Sequence, residues 1–195
     1  MADLDPIEEF ERSYEWSGSL YRSIGRFIVQ FEWLCDGLRQ AICELVWDDP
    51  GSHPTLVRIV LGEAQPGALL IRFQSILAHI SGIDHVDRPI IDDVCKRIDR
   101  LIQERNSVVH GLWFTELQLP DRSAIASKIK YTPKGLKGVN WKRTPEEIEQ
   151  LADEAAVVNR LVGHIRSAQS SGVPLSGWLI WDDDGAVRFP PGLDG

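Results

Sequence analysis

Cysteine and long apolar runs are both scarce in this chain of 195 residues. The three cysteines, Cys35, Cys43 and Cys95, show no CxxC spacing, and an odd number cannot all pair within one chain. We therefore expect reduced thiols, as in cytosolic proteins. No apolar run approaches the roughly 20 residues of a membrane helix, and the acidic start MADLDPIEEFE does not resemble a secretion signal. These absences predict a cytoplasmic protein with no membrane partner.

The sequence also lacks the patterns of several enzyme classes. It has no Gly-rich phosphate loop and no spacing typical of a serine or cysteine nucleophile. The nearest approach to a zinc or manganese site is a loose group after a predicted helix: His79, Asp84, His85 and Asp87. The three aspartates at 182–184 form a turn sequence, and such carboxylates rarely converge on a cation without other ligands. We expect no metal site and no cofactor.

Positive charge is concentrated in one stretch of an otherwise acidic chain. The net charge is −8, which by itself disfavours a polyanionic partner because like charges repel. Residues 123–145, however, hold five of the six lysines together with Arg143 and contain no acidic residue. This stretch has a charge of +6 and leaves −14 for the rest, so contact with a nucleic acid backbone stays open.

Apolar residues recur at intervals of three and four, which predicts a mainly α-helical protein. The pattern indicates four main helices and one short helix at 55–62. The main helices are expected near 20–46, 69–80, 89–112 and 144–168. The last begins with a capping box, Thr144-Pro145-Glu146-Glu147. Four such helices suffice for a bundle.

Two regions depart from helical periodicity. Residues 114–143 contain β-branched and aromatic runs around a turn at Pro133 to Gly138, which predicts a small basic β-hairpin insertion. Residues 175–195 contain WLIWDDDGAVRF, which predicts a short C-terminal hairpin with an Asp-Gly turn. Length favours one domain over 1–195, in which 17–113 and 144–168 form the helical bundle.

Arg105, Asn106 and His110 form the most informative cluster, in the run ERNSVVHGLW at the end of the third main helix. A guanidinium matches the non-bridging oxygens of a phosphate, and an imidazole exchanges protons near neutral pH. An amide can orient a phosphate or ribose oxygen. These three side chains therefore predict a phosphodiester site.

The pattern Arg-Asn-x-x-x-His resembles the Arg-x4–6-His signature of the HEPN superfamily, small helical domains that act as metal-independent ribonucleases or as silent RNA binders. The resemblance covers roughly residues 17–113 and 144–168. It implies that His110 moves a proton while Arg105 stabilises charge on the phosphorus during attack by a ribose 2′-hydroxyl. It also implies a homodimer, and a toxin or phage-defence setting with an antitoxin or other defence protein as possible partner.

The same residues have structural interpretations. An arginine on an apolar stripe needs an acceptor, and Glu32 or Asp36 on the first helix are candidates for an ion pair. His110 could cap the carbonyls at a helix end, and Asn106 could be a solvated amide. The pair Arg72 and His79 also fits the spacing. A binding or antitoxin-like module without catalysis, and a purely structural dimerisation domain, therefore stay open.

Two surfaces follow from the catalytic hypothesis. Arg105 and His110 lie about 140° apart on a helical wheel. Between them is a strip that we expect to be buried in the dimer: Ile102, Asn106, Val109 and Trp113. The basic insertion is expected to contact RNA through charge and stacking. Its candidate residues are Lys128, Lys130, Tyr131, Lys134, Lys137, Trp141, Lys142 and Arg143. The alternative is a charged strand edge that prevents association.

Overall fold

A computed structural model of the chain describes residues 6–46, 54–80, 87–114, 124–132, 135–182 and 185–189. This part of the chain is mainly helical. It contains five α-helices, α1 Pro6–Val46, α2 Pro54–Gly62, α3 Pro66–His79, α4 Arg88–His110 and α5 Pro145–Ser171, and a short 3-10 helix, Leu175–Gly177.

The strands form two small antiparallel sheets. The first contains β1 Leu112–Phe114, β2 Ala124–Thr132 and β3 Gly135–Arg143, in that order. The second contains β4 Ile180–Trp181 and β5 Val187–Arg188. The mainly helical class with small β-hairpins is therefore confirmed, whereas the specific HEPN fold stays a prediction.

The helices agree with the apolar periodicity, but some bounds differ from it. The third main helix, α4, ends at His110 and not at Leu112, because Leu112 and Trp113 pair with β2 as part of β1. The first helix begins at Pro6 and not near residue 20. On the extra turns Tyr14 is 76% exposed, so this apolar residue does not mark a buried face of the helix. The β-hairpin turn is also shorter than the predicted span from Pro133 to Gly138, since β3 already begins at Gly135. Pairing of Thr132 with Gly135 fixes that register.

The start of α5 confirms the predicted capping box. The Thr144 backbone N–H donates to Glu147 Oε2 at 2.9 Å, and the Glu147 N–H donates to Thr144 Oγ1 at 3.2 Å. These hydrogen bonds satisfy two backbone N–H groups at the start of the helix. The helix ends at Ser171, after which Gly172 takes a positive φ of 67°. A residue with a side chain rarely adopts that conformation, which explains a glycine at this end.

The chain divides into two compact units. Unit 1 comprises residues 1–30 and 103–154, and unit 2 comprises residues 31–102 and 155–195. The boundaries fall inside α1, α4 and α5. The single domain expected from chain length stays a prediction.

In unit 1, α1 and α5 are joined by ion pairs, and each helix has fully buried apolar residues. Leu20, Phe27 and Ile148 are fully buried. On the surface, Arg26 of α1 pairs with both Glu149 and Asp153 of α5. Exposed ion pairs contribute little to the free energy of folding. An arginine between two carboxylates therefore fixes the alignment of the two helices more than it stabilises the fold.

In unit 2, a buried carboxylate organises the segment after α5. Asp87 is 4% exposed and accepts backbone hydrogen bonds from Leu175 at 3.0 Å and Ser176 at 3.2 Å. It thereby satisfies amides at the 3-10 helix. Arg97 of α4 donates to the Val187 carbonyl at 2.8 Å, which attaches β5 to the same helix. Among the described residues, no helix has the length and apolarity needed to cross a bilayer.

Candidate functional site

The Arg105 side chain lies where the helical spacing predicts, beside the buried stripe of α4. Leu101 and Val108, its neighbours along this stripe, are 1% and 2% exposed. Arg105 itself is half-buried, and its Nε atom is inaccessible to solvent. Any contact with a phosphate must therefore use the solvent-accessible part of the guanidinium.

Asn106 and His110 form the exposed part of the motif. Both residues are exposed, and their separation of four places them on the same side of α4, one turn apart. His110 is the last residue of the helix. The last carbonyls of a helix have no intrahelical partner. An imidazole at this position can hydrogen-bond to one of these carbonyls or to a ligand in solvent.

The strip predicted to form a dimer interface is only partly covered within the chain. Ile102 and Trp113 are half-buried, and Val109 is 38% exposed. The Trp113 indole N–H donates to the Val108 carbonyl at 2.9 Å, so this ring caps the end of α4. The hydrogen bond thus fixes the orientation of the indole against the end of α4. Burial of the strip in a dimer stays a prediction.

Gly111 joins the motif helix to β1 and allows the sheet to approach closely. A Cβ atom at Gly111 would lie 2.8 Å from the Ser107 carbonyl oxygen and 2.8 Å from Cζ2 of Trp141. Real Cβ atoms do not tolerate such distances. The ring of Trp141 on β3 therefore packs against the residue that follows His110, and only glycine leaves room for it.

The register of the sheet explains why Trp141 faces the helix. Trp113 pairs with Ala126, and Ala126 pairs with Trp141, so all three share one face of the sheet. Ala124 and Ala126 are fully buried, which identifies this face as the covered one. Small alanines in β2 leave space for the two large indoles on either side.

An ion pair attaches β3 to α4 one residue before Arg105. Arg143 Nη2 lies 3.0 Å from Glu104 Oε1 and 3.2 Å from Oε2. Both side chains are partly buried, with 31% and 20% of their surfaces exposed. Sequence reasoning missed this role of Glu104, because only the strand register reveals which acidic residue Arg143 reaches.

The other candidate RNA-binding residues are distributed along the hairpin. Lys142 is exposed. The structure gives the backbone positions of four others, on β2 and β3, and does not describe their side chains: Lys128, Lys130, Tyr131 and Lys137. Lys134 lies outside the described residues. Of the eight candidates, Trp141 and Arg143 already contact residues of unit 1 next to the motif.

Cysteine chemistry is disfavoured where the structure describes the thiols. Cys35, Cys43 and Cys95 are free and buried. Burial raises the pKa of the Cys95 thiol to about 11, although a hydrogen bond with Gln74 opposes that shift. A thiol is nucleophilic only when deprotonated, so Cys95 is suited to packing.

The acidic sequences considered for metal binding have structural roles where they are described. Asp87 binds backbone amides as above, and Asp182 accepts the Ala186 N–H at 2.8 Å within the turn before β5. Within the described ranges, no three His, Cys, Asp or Glu side chains are grouped as metal ligands. Asp84, His85, Asp183 and Asp184 lie outside the described residues.

Comparison with known proteins yields no relative. No protein-family model, no curated protein sequence and no solved structure matches the chain.

Proposed function

We propose that this chain is a HEPN-like, metal-independent endoribonuclease that belongs to a toxin or phage-defence system. The observation that carries the proposal is the exposure of Asn106 and His110 on one side of the last turns of α4, next to the half-buried Arg105. A proton-transfer group and a phosphate-binding group thus lie within five residues of each other. Asn106 and His110 are both exposed, so each side chain is accessible to a ligand from solvent.

The proposed reaction is an internal transfer at phosphorus. His110 accepts the proton of a ribose 2′-hydroxyl, and the 2′-oxygen attacks the adjacent phosphorus. The bond from phosphorus to the 5′-oxygen breaks, which leaves a 2′,3′-cyclic phosphate and a 5′-hydroxyl after that oxygen takes up a proton. Arg105 stabilises negative charge on the pentacoordinate phosphorus, and Asn106 orients a phosphate or ribose oxygen. DNA lacks the nucleophile and should resist cleavage.

The hairpin supports RNA binding through its charge. Six cationic residues and no acidic residue lie within 123–145. Because Arg143 and Trp141 contact Glu104 and Gly111, the basic strands are attached to the end of α4 within unit 1. We propose that the lysines attract the RNA backbone towards His110. This electrostatic contribution should weaken steeply as salt concentration rises.

A homodimer is part of the proposal. The half-buried Trp113 and the exposed Val109 lie along the same end of α4 as His110. Burying this strip against a second copy would bring two motifs towards one cleft and remove apolar surface from water. The proposal also includes an antitoxin or defence-system protein as a partner.

A silent RNA- or protein-binding module is the second candidate. It is favoured by the burial of Arg105 Nε and by the ion pair of Arg143 with Glu104, both of which suit a structural role. Under this alternative the same surface binds RNA or a partner protein without cleaving it.

The first measurement is RNA cleavage without metal. Wild type and His110→Ala are incubated with total RNA and tRNA in EDTA, and circular dichroism checks that both are folded. Cleavage by wild type alone, with cyclic phosphate ends, is the expected result. Binding of RNA by folded wild type without cleavage would favour the silent module. Absence of both RNA binding and cleavage would contradict the ribonuclease proposal and would leave the protein-binding module.

A further inference from the structure

Unit 2 contains a cavity that the ribonuclease proposal does not use. It has a volume of about 290 Å³ and lies between α1 and α5. Among the described residues, Trp33 on α1 is the one aromatic residue that lines it. The polar groups that line it include Asp36 of α1 and Asn159 and Arg166 of α5. An aromatic wall with a few convergent polar groups is typical of a small-molecule or base-binding site.

Two glycines line this cavity, and they differ in what surrounds them. At Gly37 the helices approach so closely that a Cβ atom would overlap the Asn159 side chain. At Gly163, which also lines the cavity, a Cβ atom would meet nothing within 4 Å. Glycine in a helix interior costs about 1 kcal/mol relative to alanine, and packing does not require it at Gly163. A side chain there would instead occupy the cavity.

The Trp33 side chain gives the cavity a flat apolar surface. The Trp33 side chain is large and mainly apolar, yet Trp33 is 59% exposed. An exposed indole face stacks well on another planar ring, and every nucleobase has such a face. The cavity is therefore suited to a planar heterocycle.

Two of the polar residues that line the cavity with Trp33 have side-chain partners within the chain. Asp36 Oδ2 accepts a hydrogen bond from Gln40 Nε2 at 2.7 Å, and a carboxylate has acceptor capacity beyond that bond. Arg166 Nε lies 3.1 Å from Glu44 Oε2, and 29% of its side chain is exposed. The guanidinium is thus held at the cavity with further N–H donors on its terminal nitrogens.

We propose that this cavity binds a guanine base stacked on Trp33. Guanine presents two adjacent donors, N1–H and the exocyclic amine, that match a carboxylate such as Asp36. Its O6 and N7 acceptors match an arginine such as Arg166. Adenine would instead direct an acceptor, N1, towards the carboxylate. The charges of the site therefore select guanine by attraction and disfavour adenine by repulsion.

The base can come from two sources, a free guanine nucleotide or a guanine in single-stranded nucleic acid. The first source is independent of the proposed function, whereas recognition of a guanine in RNA rests on it. The cavity lies in unit 2 and the Arg105 to His110 motif in unit 1, so binding and cleavage are measured separately.

The test is a titration of the full-length protein with guanosine monophosphate and adenosine monophosphate by isothermal calorimetry. A third ligand is an oligothymidylate with one central deoxyguanosine, which the proposed ribonuclease cannot cleave. Tighter binding of guanosine monophosphate than of adenosine monophosphate, by about ten-fold or more, is expected from the paired donors and acceptors. Tighter binding of the oligonucleotide than of the mononucleotide would identify the strand as the source, and the reverse would identify the nucleotide.

Variants locate the site. Trp33→Ala should weaken binding about ten-fold or more through lost stacking, and Gly163→Leu should abolish it by filling the cavity. Gly18→Leu is the matched control, because Gly18 also lies in a helix, a Cβ atom there would meet nothing within 4 Å, and the residue does not line the cavity. Asp36→Asn changes hydrogen bonding with little change in shape and should reduce the preference for guanine.

Three results would overturn the proposal. These are no binding of any of the three ligands at millimolar concentration, binding that Trp33→Ala and Gly163→Leu leave unchanged, and equal binding of the two mononucleotides. Cleavage of RNA by a protein that shows one of these results would remove the guanine site and keep the ribonuclease proposal. Guanine binding without RNA cleavage would keep the guanine site and remove the ribonuclease proposal.

Discussion

Arg143 of β3 holds the carboxylate of Glu104 on α4 through one guanidinium nitrogen, with distances of 3.0 and 3.2 Å to the two oxygens. This contact connects the basic hairpin to the residue before Arg105. Since both side chains are mostly covered, we expect a coupling energy of about 1 kcal/mol in a double-mutant cycle of Arg143→Ala and Glu104→Ala. Urea unfolding of the four proteins measures it.

The exposed pair of Arg88 and Asp92 is the control for this cycle. It lies on one turn of α4, with side chains 58% and 50% exposed. Screening by water should reduce its coupling to a few tenths of a kcal/mol. Equal coupling for the two pairs would contradict the idea that the hairpin is anchored through Glu104.

Arg105 and His110 should each be required for RNA cleavage. In the proposed mechanism, Arg105→Ala removes the charge that stabilises the transition state, and His110→Ala removes the group that moves the proton. We expect losses of at least about 100-fold in cleavage rate, while folding is preserved for His110→Ala because His110 is exposed. A radiolabelled RNA assay in EDTA measures the rates.

The second match to the motif spacing supplies the controls. Arg72 and His79 lie on α3 and are both exposed. Arg72→Ala and His79→Ala should leave the cleavage rate within about two-fold of wild type, since surface substitutions rarely perturb a distant site. Full activity of pure, folded His110→Ala would remove that residue from the mechanism.

Gly111→Ala should destabilise unit 1 and disturb the site. The new methyl group would meet the Ser107 carbonyl and the ring of Trp141, so the helix end or the strand must move. We expect a loss of about 1–3 kcal/mol in the free energy of unfolding, together with reduced cleavage.

Gly25→Ala is the matched control for Gly111→Ala. Gly25 lies inside α1, where a methyl group would meet nothing within 4 Å. Alanine should raise the free energy of unfolding by about 0.5–1 kcal/mol, because it restricts the unfolded chain and favours the helix. Chemical denaturation compares the two variants, and a stable Gly111→Ala would disprove the close packing of Trp141.

Stability should fall in mild acid because of His164. Burial, and secondarily the charge of Arg160, lowers the pKa of His164 below its ordinary value of 6.5. Its ring lies against Trp178 and Phe189, with centroids 5.6 and 4.8 Å away. The unfolded state therefore binds the proton more readily. The contribution of neutral His164 is complete above pH 6.5 and is lost as pH falls through the folded-state pKa.

Urea unfolding at several values between about pH 8 and pH 5 measures this effect, because that window spans the range in which a histidine titrates. His164→Gln should be less stable than wild type at the alkaline end and should show a flatter decline in acid. The control is His79→Gln on the exposed surface of α3, which should keep the wild-type pH dependence. An unchanged decline in His164→Gln would assign the acid sensitivity to other groups.

The helical elements were predictable because their signal is local. Spacing of apolar residues by three and four identified the helices that bury those residues, and Thr144 with Glu147 identified the start of α5 from sequence. The first turns of α1 were missed, and Tyr14 on those turns is exposed instead of lying on a buried stripe. The turn at the hairpin was predicted too long, because charge and glycine content do not fix a register.

The sequence by itself determined the helical segments, the basic character of residues 123–145 and the adjacency of Arg105, Asn106 and His110, because these depend on neighbours along the chain. Only the tertiary structure decided that Arg143 pairs with Glu104, that Trp141 packs on Gly111 and that Trp33 shares a cavity with Arg166. Such contacts join residues far apart in sequence. They depend on strand register and helix packing, which short-range patterns do not specify.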